Sequence, residues 1–145
     1  MEKNKIIIHT DGGSRGNPGP AAIGVVMESD SFGKKEFGEY IGETTNNEAE
    51  YRAVIFALKK IKSLVGSDKC KDNSAEFLLD SELIVKQLNK EYKLKDKNIQ
   101  NFFIEIWNLT FDFGEVSFRH IPREKNREAD KVVNQVLDRE GGKLF

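Results

Sequence analysis

Apolar positions along this chain change their spacing several times, and each change marks an element. Residues 5–11 (KIIIHTD) form a short β-branched run that predicts a central strand buried on both faces and ending at Asp11. The glycines and prolines of GGSRGNPGPA then predict a loop or wide turn. Ala21 to Glu28 and Lys34 to Glu43 follow as two strands, with Ile23, Val25 and Met27 alternating in the first and Phe37 and Ile41 in the second. The SDSFG between them suits a hairpin. From Asn47 to about Val65 the period lengthens to nearly 3.6, and Val54, Ala57, Ile61 and Leu64 form one helical stripe, with Asn46 or Asn47 as its N-cap. AEFLLD (75–80) reads as another strand ending in a carboxylate, with Ser81 as cap of a helix that carries Leu83, Ile84, Gln87 and Leu88. A third helix begins near Asp96 and carries Ile99, Phe102, Phe103, Ile106 and Leu109. Strand Glu115 to Ile121 is closed by Pro122. A last helix runs from about Asn126 to Arg139, packs through Ala129, Val133 and Val136, and stops at Gly141 and Gly142.

Three strands in a meander followed by alternating helices and strands predict a single α/β domain over residues 1–145, a mixed sheet with helices on its faces. Because strand–helix–strand connections are right-handed, the strand ending at Asp80 can return parallel to the one ending at Asp11. The two aspartates then project from neighbouring strand ends, where open α/β sheets bind ligands.

Glu50 reaches the same place by another route. Positions 50, 54, 57, 61 and 64 lie on one helix face, so a glutamate heads an otherwise apolar stripe. A buried carboxylate costs several kcal/mol unless a proton, a cationic side chain or a metal neutralises it. Asp130 falls in the first turn of the last helix, where the dipole favours an anion by ~0.3–1 kcal/mol. Each acid alone has a plainer explanation: the strand-end aspartates as turn formers, Glu50 facing a lysine, Asp130 as a helix-start residue. Together, four oxygen donors with only two histidines in the chain form the inventory for Mg²⁺ or Mn²⁺ and a poor one for zinc.

Composition removes other classes. Cys70 is the single cysteine, so an intrachain disulfide and a cysteine zinc site are excluded, and a reducing, cytoplasmic setting is expected. No apolar run approaches the roughly 18 residues of a membrane span, and the apolar part of the start is too short for a signal peptide. With 23 Lys+Arg against 24 Asp+Glu the net charge is −1, so any polyanion must be gripped locally.

Four segments now carry a family resemblance: TDGGSRGNPGPAAIGVV, TTNNEAEYRAVIFAL, LLDSELIVKQL and PREKNREADKV resemble, in order, the signature segments of type 1 ribonuclease H. The resemblance spans nearly the whole chain. It implies the ribonuclease H-like fold, with a five-stranded mixed sheet of three antiparallel then two parallel strands. It also implies hydrolysis of the RNA strand of an RNA/DNA hybrid by two Mg²⁺ ions about 3.5–4 Å apart, with Mn²⁺ as substitute, leaving 5′-phosphate and 3′-hydroxyl ends. By motif position the catalytic, metal-holding acids are Asp11, Glu50 (rather than Glu48), Asp80 and Asp130.

Substrate contacts are expected from Gly12 and Gly13, whose missing side chains let the backbone approach the 2′-hydroxyls of the minor groove. Ser14, Asn17, Thr45, Asn46 and Asn47 offer neutral hydrogen bonds to phosphates and bases, beside an equally available role in turns and caps. A monomer with no obligate protein partner is expected.

Departures from the family pattern are informative. His120, ten residues before Asp130, has the spacing of an auxiliary proton-transfer histidine, yet SFRHIPREKN puts it inside a strand with a short loop after it. Strand packing or substrate contact is the other reading, and His9 reads as structural. EYKLKDKNIQ stands where some members insert a long basic protrusion; here Lys90, Lys93, Lys95 and Lys97 form either a solvated connector or a reduced phosphate patch, with Arg123, Lys125 and Arg127 as a second patch. Glu82 stands where a neutral glutamine is common in the family, adding negative charge near Asp80. Two other functions share these features: a catalytically weak ribonuclease H-fold module that only binds nucleic acid, and a DNA-directed transferase or resolvase. The first is disfavoured by four intact acids, the second by the NNEAEY and READ segments. The tail GGKLF is unexplained.

Overall fold

A computed structural model describes residues 4–142. Three strands open the chain: β1 (Asn4–Ser14), β2 (Gly19–Ser29) and β3 (Gly33–Thr44). Helix α1 (Asn46–Val65) and a 3₁₀ segment (Ser67–Asp72) lead into β4 (Asn73–Leu79). Helices α2 (Glu82–Leu88) and α3 (Lys97–Thr110), strand β5 (Glu115–His120), a 3₁₀ turn (Arg123–Lys125) and α4 (Arg127–Gly142) complete it. The sheet order is β3-β2-β1-β4-β5, antiparallel between β3, β2 and β1 and parallel between β1, β4 and β5, as the sequence predicts.

Period-two alternation divides the side chains between the two faces. Ile6, Ile8, Val25, Met27, Phe77 and Leu79 face the large core, packing on Val54, Leu58 and Ile61 of α1 and on Ile99 and Ile106 of α3. On the opposite face Ala22 packs with Val133, Val136 and Leu137 of α4. That helix lies close because Gly24 and Gly38, paired across β2 and β3, clear its path. A Cβ on Gly24 would collide with the Ala129 carbonyl oxygen, and one on Gly38 would stand 2.6 Å from Val132 Cγ1.

Some boundaries differ from expectation. β1 does not end at Asp11 but runs to Ser14, with Gly12, Gly13 and Ser14 paired to Ile23, Ala22 and Ala21. Glycine inside a strand is tolerated where another backbone comes close, and here α1 does. Thr45, not Asn46 or Asn47, caps α1: its hydroxyl accepts from the Glu48 N–H at 3.2 Å, while Glu48 Oε2 accepts from Thr44 Oγ1 at 2.8 Å. Leu64 and Leu83 are exposed, so the stripes they were assigned to end sooner. The charged stretch around Cys70 makes a 3₁₀ turn that buries the thiol. α4 takes in Gly141 and Gly142, its last described residues, instead of running only to Arg139, while residues 1–3 of the expected domain and the last three residues of the tail, 143–145, lie outside the described residues.

Gly24→Ala should lower stability in urea unfolding by about 1–3 kcal/mol, because the added methyl meets helix backbone that cannot rotate away. Gly141→Ala, with open space around its Cβ, should be neutral or slightly stabilising in the same assay.

Candidate functional site

The acids converge because of register. β1 and β4 pair in parallel as far as His9↔Leu78, and continuing that register by two residues sets Asp11 opposite Asp80. Alternation puts both on the face that α4 covers. Gly12 points the other way, toward α1, where any Cβ would collide with the backbone of Ala49 and Glu50. The helix therefore crosses β1 in near-backbone contact, and Glu50 is carried to the end of the β1–β4 pair.

Carboxylate oxygens of Asp11, Glu50 and Asp80 lie within 4.8 Å of one another. Asp11 and Glu50 are buried, at 8% and 7% exposure, and Glu50 Oε2 has no hydrogen-bond partner. Asp130, in the first turn of α4, is exposed and stands outside that trio, but its charge and a side-chain hydrogen bond act on Asp11. Burial pushes the Asp11 carboxyl up to about 7, reinforced by the charge of Asp80, while a hydrogen bond with Glu50 opposes the rise. Glu50 is held well above the usual carboxylate range by burial first and then by the charges of Asp11 and Asp80. An oxygen-only donor set, mutually repelling and with one buried oxygen unpartnered, fits a hard divalent cation. Glu48, by contrast, is spent on the helix cap.

The acids line a cavity of about 530 Å³ with Gly12, Gly13, Ser14, Asn46, Asn47 and Ser81. Of the other expected contacts, Asn17, Thr45 and Asn47 line a neighbouring groove of about 390 Å³ with Lys93 and Lys95 of the α2–α3 connector. Asn47 belongs to both. The expected polar contacts are partly bonded to each other: Asn46 Oδ1 accepts from the Ser14 N–H at 2.9 Å, and the Asn46 N–H donates to Asn17 Oδ1 at 3.0 Å. These bonds fasten the β1–β2 loop to the start of α1.

Basic residues divide differently from the sequence expectation. Arg123 lines the acidic cavity, whereas Lys125 and Arg127 line a separate groove with His9, Glu124 and Glu128. Lys90 lies beside Phe103 and Trp107, away from Lys93 and Lys95. Glu82 pairs with Lys86 at 3.0 Å, so much of its added charge is answered locally. His120 ends β5, exposed, and does not line the acidic cavity.

Sequence reasoning missed Arg15, which lines the cavity but is held at its rim by Asp138 at 2.6 Å. It also treated Asn126 only as a helix start. Asn126 is buried, at 1% exposure, with its amide on Thr10 O at 2.9 Å and on Asp80 Oδ2 at 3.1 Å. Its position directly before READ was the available signal.

A family profile described as reverse transcriptase-like matches residues 9–136. LC11-RNase H1, isolated from compost by a metagenomic approach, is 46% identical with a TM-score of 0.85, covering 94% of this chain and 98% of that one. The chain belongs to the type 1 ribonuclease H family. RNase H1 of Halobacterium salinarum NRC-1 is 38% identical with a TM-score of 0.82, over 92% and 98% of the two chains. The Mycobacterium tuberculosis bifunctional protein Rv2228c is 35% identical over 92% of this chain and 36% of its own length. The chain spans about a third to two thirds of the length of the first curated relatives it matches. Within that family the chain has the short form, since only residues 89–96 connect α2 and α3. Ribonucleases of this family are metal-dependent, and the acidic trio is present here. No helix among the described residues is long and apolar enough to cross a membrane.

Raised carboxyl pKa values have a defined consequence for folding. Asp11 and Glu50 bind protons more tightly folded than unfolded, so their contribution is fully present below about pH 4 and is lost as pH rises through about 7 for Asp11. In EDTA, thermal melts should therefore show this contribution falling between those pH values. Glu50→Gln should flatten the dependence and raise the melting temperature at pH 7.5; a sharp drop instead would mean that Glu50 serves a structural ion pair.

Proposed function

We propose that the chain is an endoribonuclease hydrolysing the RNA strand of RNA/DNA hybrids, with Asp11, Glu50, Asp80 and Asp130 holding two Mg²⁺ ions for which Mn²⁺ can substitute. The observation that carries this reading is the buried acidic trio with its unpartnered Glu50 oxygen. The likeness to LC11-RNase H1, whose crystal structure in complex with RNA/DNA hybrid is 45% identical and covered over 98% of its length, supports the substrate. Divalent cations bound at these acids would supply Lewis acidity, making water nucleophilic at the scissile phosphate and neutralising the leaving 3′ oxygen.

The chain's own residues do the rest. Asp11 and Asp80 are set by register on neighbouring strands, Glu50 is delivered by α1 and Asp130 by α4, so the acids ride on rigid elements. Gly12, Gly13 and Ser14 offer backbone and a small hydroxyl to the RNA 2′-hydroxyls, which distinguish RNA from DNA. Asn17, Thr45, Asn46 and Asn47, with Lys93 and Lys95 beside them, receive the sugar-phosphate backbone through hydrogen bonds and local positive charge. Arg123, on the cavity wall, contributes a cation toward the cleaved phosphate. Attack by water in line with the leaving oxygen gives 5′-phosphate and 3′-hydroxyl ends without a covalent enzyme intermediate. The chain works as a monomer without an obligate protein partner; one buried free thiol suits a reducing cytoplasm.

Cleavage of a labelled hybrid should require Mg²⁺ or Mn²⁺, stop in EDTA and vanish in Asp80→Asn. Folded wild-type protein that cuts under neither metal would point to a binding module. His120→Ala should retain cleavage, because its side chain lies outside the acidic cavity; a loss of the roughly 10²–10⁴-fold typical of a general acid or base would overturn that placement.

A further inference from the structure

Asn126 occupies the point where the supports of the acidic site meet. Its side-chain amide donates both protons, one to the Thr10 carbonyl at 2.9 Å and the other to Asp80 Oδ2 at 3.1 Å. Thr10 lies one residue beyond the last β1–β4 pair, His9↔Leu78. The Asn126 carbonyl accepts from the Asp130 N–H at 3.2 Å, opening the first turn of α4. One buried residue thus joins the strand of Asp11, the carboxylate of Asp80 and the helix of Asp130. Its Oδ1 is buried without a hydrogen-bond partner, a cost the fold carries at this position.

A purely structural bridge would not need to end on a carboxylate of the cavity. A neutral amide is suited to this one, since it can donate to Asp80 without neutralising it as a lysine or arginine would. It leaves Asp80 Oδ1 for a cation while fixing the rotation of the carboxylate.

We propose that Asn126 is a positioning residue that orients Asp80, and keeps β1 and α4 in step with it, for divalent-cation binding at the acidic site. This rests on the metal-dependent reading of that site but not on hybrid being the substrate. Outer hydrogen bonds to metal-holding groups typically alter metal affinity by 10–100-fold when removed.

The test is titration calorimetry with Mn²⁺ alone, without nucleic acid, on wild type, Asn126→Ala, Asn126→Leu and Val136→Ala. Val136 is buried in α4 against the sheet without lining the acidic cavity, so it controls for lost stability. Asn126→Leu removes the donor while roughly keeping side-chain volume and deleting the unpartnered Oδ1, and serves if the alanine variant fails to fold. The expected result is Mn²⁺ affinity at least tenfold weaker in the folded Asn126 variants and unchanged in Val136→Ala. In cleavage assays, the half-activating Mg²⁺ concentration should rise by the same factor while saturating metal restores most of the rate. Affinity within threefold of wild type, or an equal loss in Val136→Ala, would overturn the proposal. If wild type binds Mn²⁺ but cuts no hybrid, the substrate reading fails while the calorimetric comparison still decides the role of Asn126.

Discussion

Near-contact between the backbones of α1 and β1 at Gly12 is the constraint from which the site follows. It buries Glu50 beside Asp11 and brings both within reach of Asp80, although like charges repel and burial penalises each ionised form. Among the described residues no cationic side chain forms a salt bridge with Asp11, Glu50 or Asp80 to relieve that conflict. Protons relieve it in the metal-free state, which is why both carboxyls titrate high. Cations relieve it otherwise, and the two compete for the same oxygens.

Such an arrangement needs the rest of the fold to hold it open. The large core, anchored by fully buried Tyr51, Phe77 and Leu58, fixes α1 against the sheet, so Glu50 cannot retreat. On the other face, the glycine pair Gly24 and Gly38 lets α4 settle on β2 and β3, which sets the height of Asp130 above the strands. These packing contacts are largely apolar and run up to the acids, with Val133 and Leu137 of α4 lining the acidic cavity itself. Stability is gained where no charge is buried, and its surplus tolerates the site.

Much of this was legible in residue patterns, and the misreadings have physical causes. Strand alternation and helical periodicity located the strands and helices, because burial on one or both faces leaves a period that few other constraints produce, whereas the five-stranded arrangement came from the crossover rule and the family resemblance. Glu50 stood out as a charge on an apolar stripe. Asp11 was read as a strand end because glycines weaken strands, but backbone crowding from α1, invisible in one dimension, makes glycine obligatory at position 12. Thr45 lost the cap to its asparagine neighbours in a reading by residue type; the Glu48 three residues on was the discriminating mark. Arg15 could not be singled out, since its partner Asp138 lies 123 residues away along the chain, and Asn126, whose Thr10 partner is 116 residues away, had only its place before READ to mark it.

Charge distribution then limits how a polyanion can be held. At a net charge of −1 the molecule has no far-reaching positive field, and the cavity itself is acidic. Attraction must come from short-range cations, and the structure offers them unevenly. Arg15 is engaged with Asp138, whereas Arg123 makes no ion pair among the described residues, and Lys93 and Lys95 sit in a groove that meets the acidic cavity at Asn47. Under the function proposed above, two sites joined through one neutral side chain would receive a duplex whose strands make different contacts, one presenting a scissile phosphate to the acids and the other only its backbone. Discrimination then rests less on total charge than on the fit of hydrogen-bonding groups to sugar and phosphate, because a grip of few cations releases few counterions and adds little sequence-independent affinity.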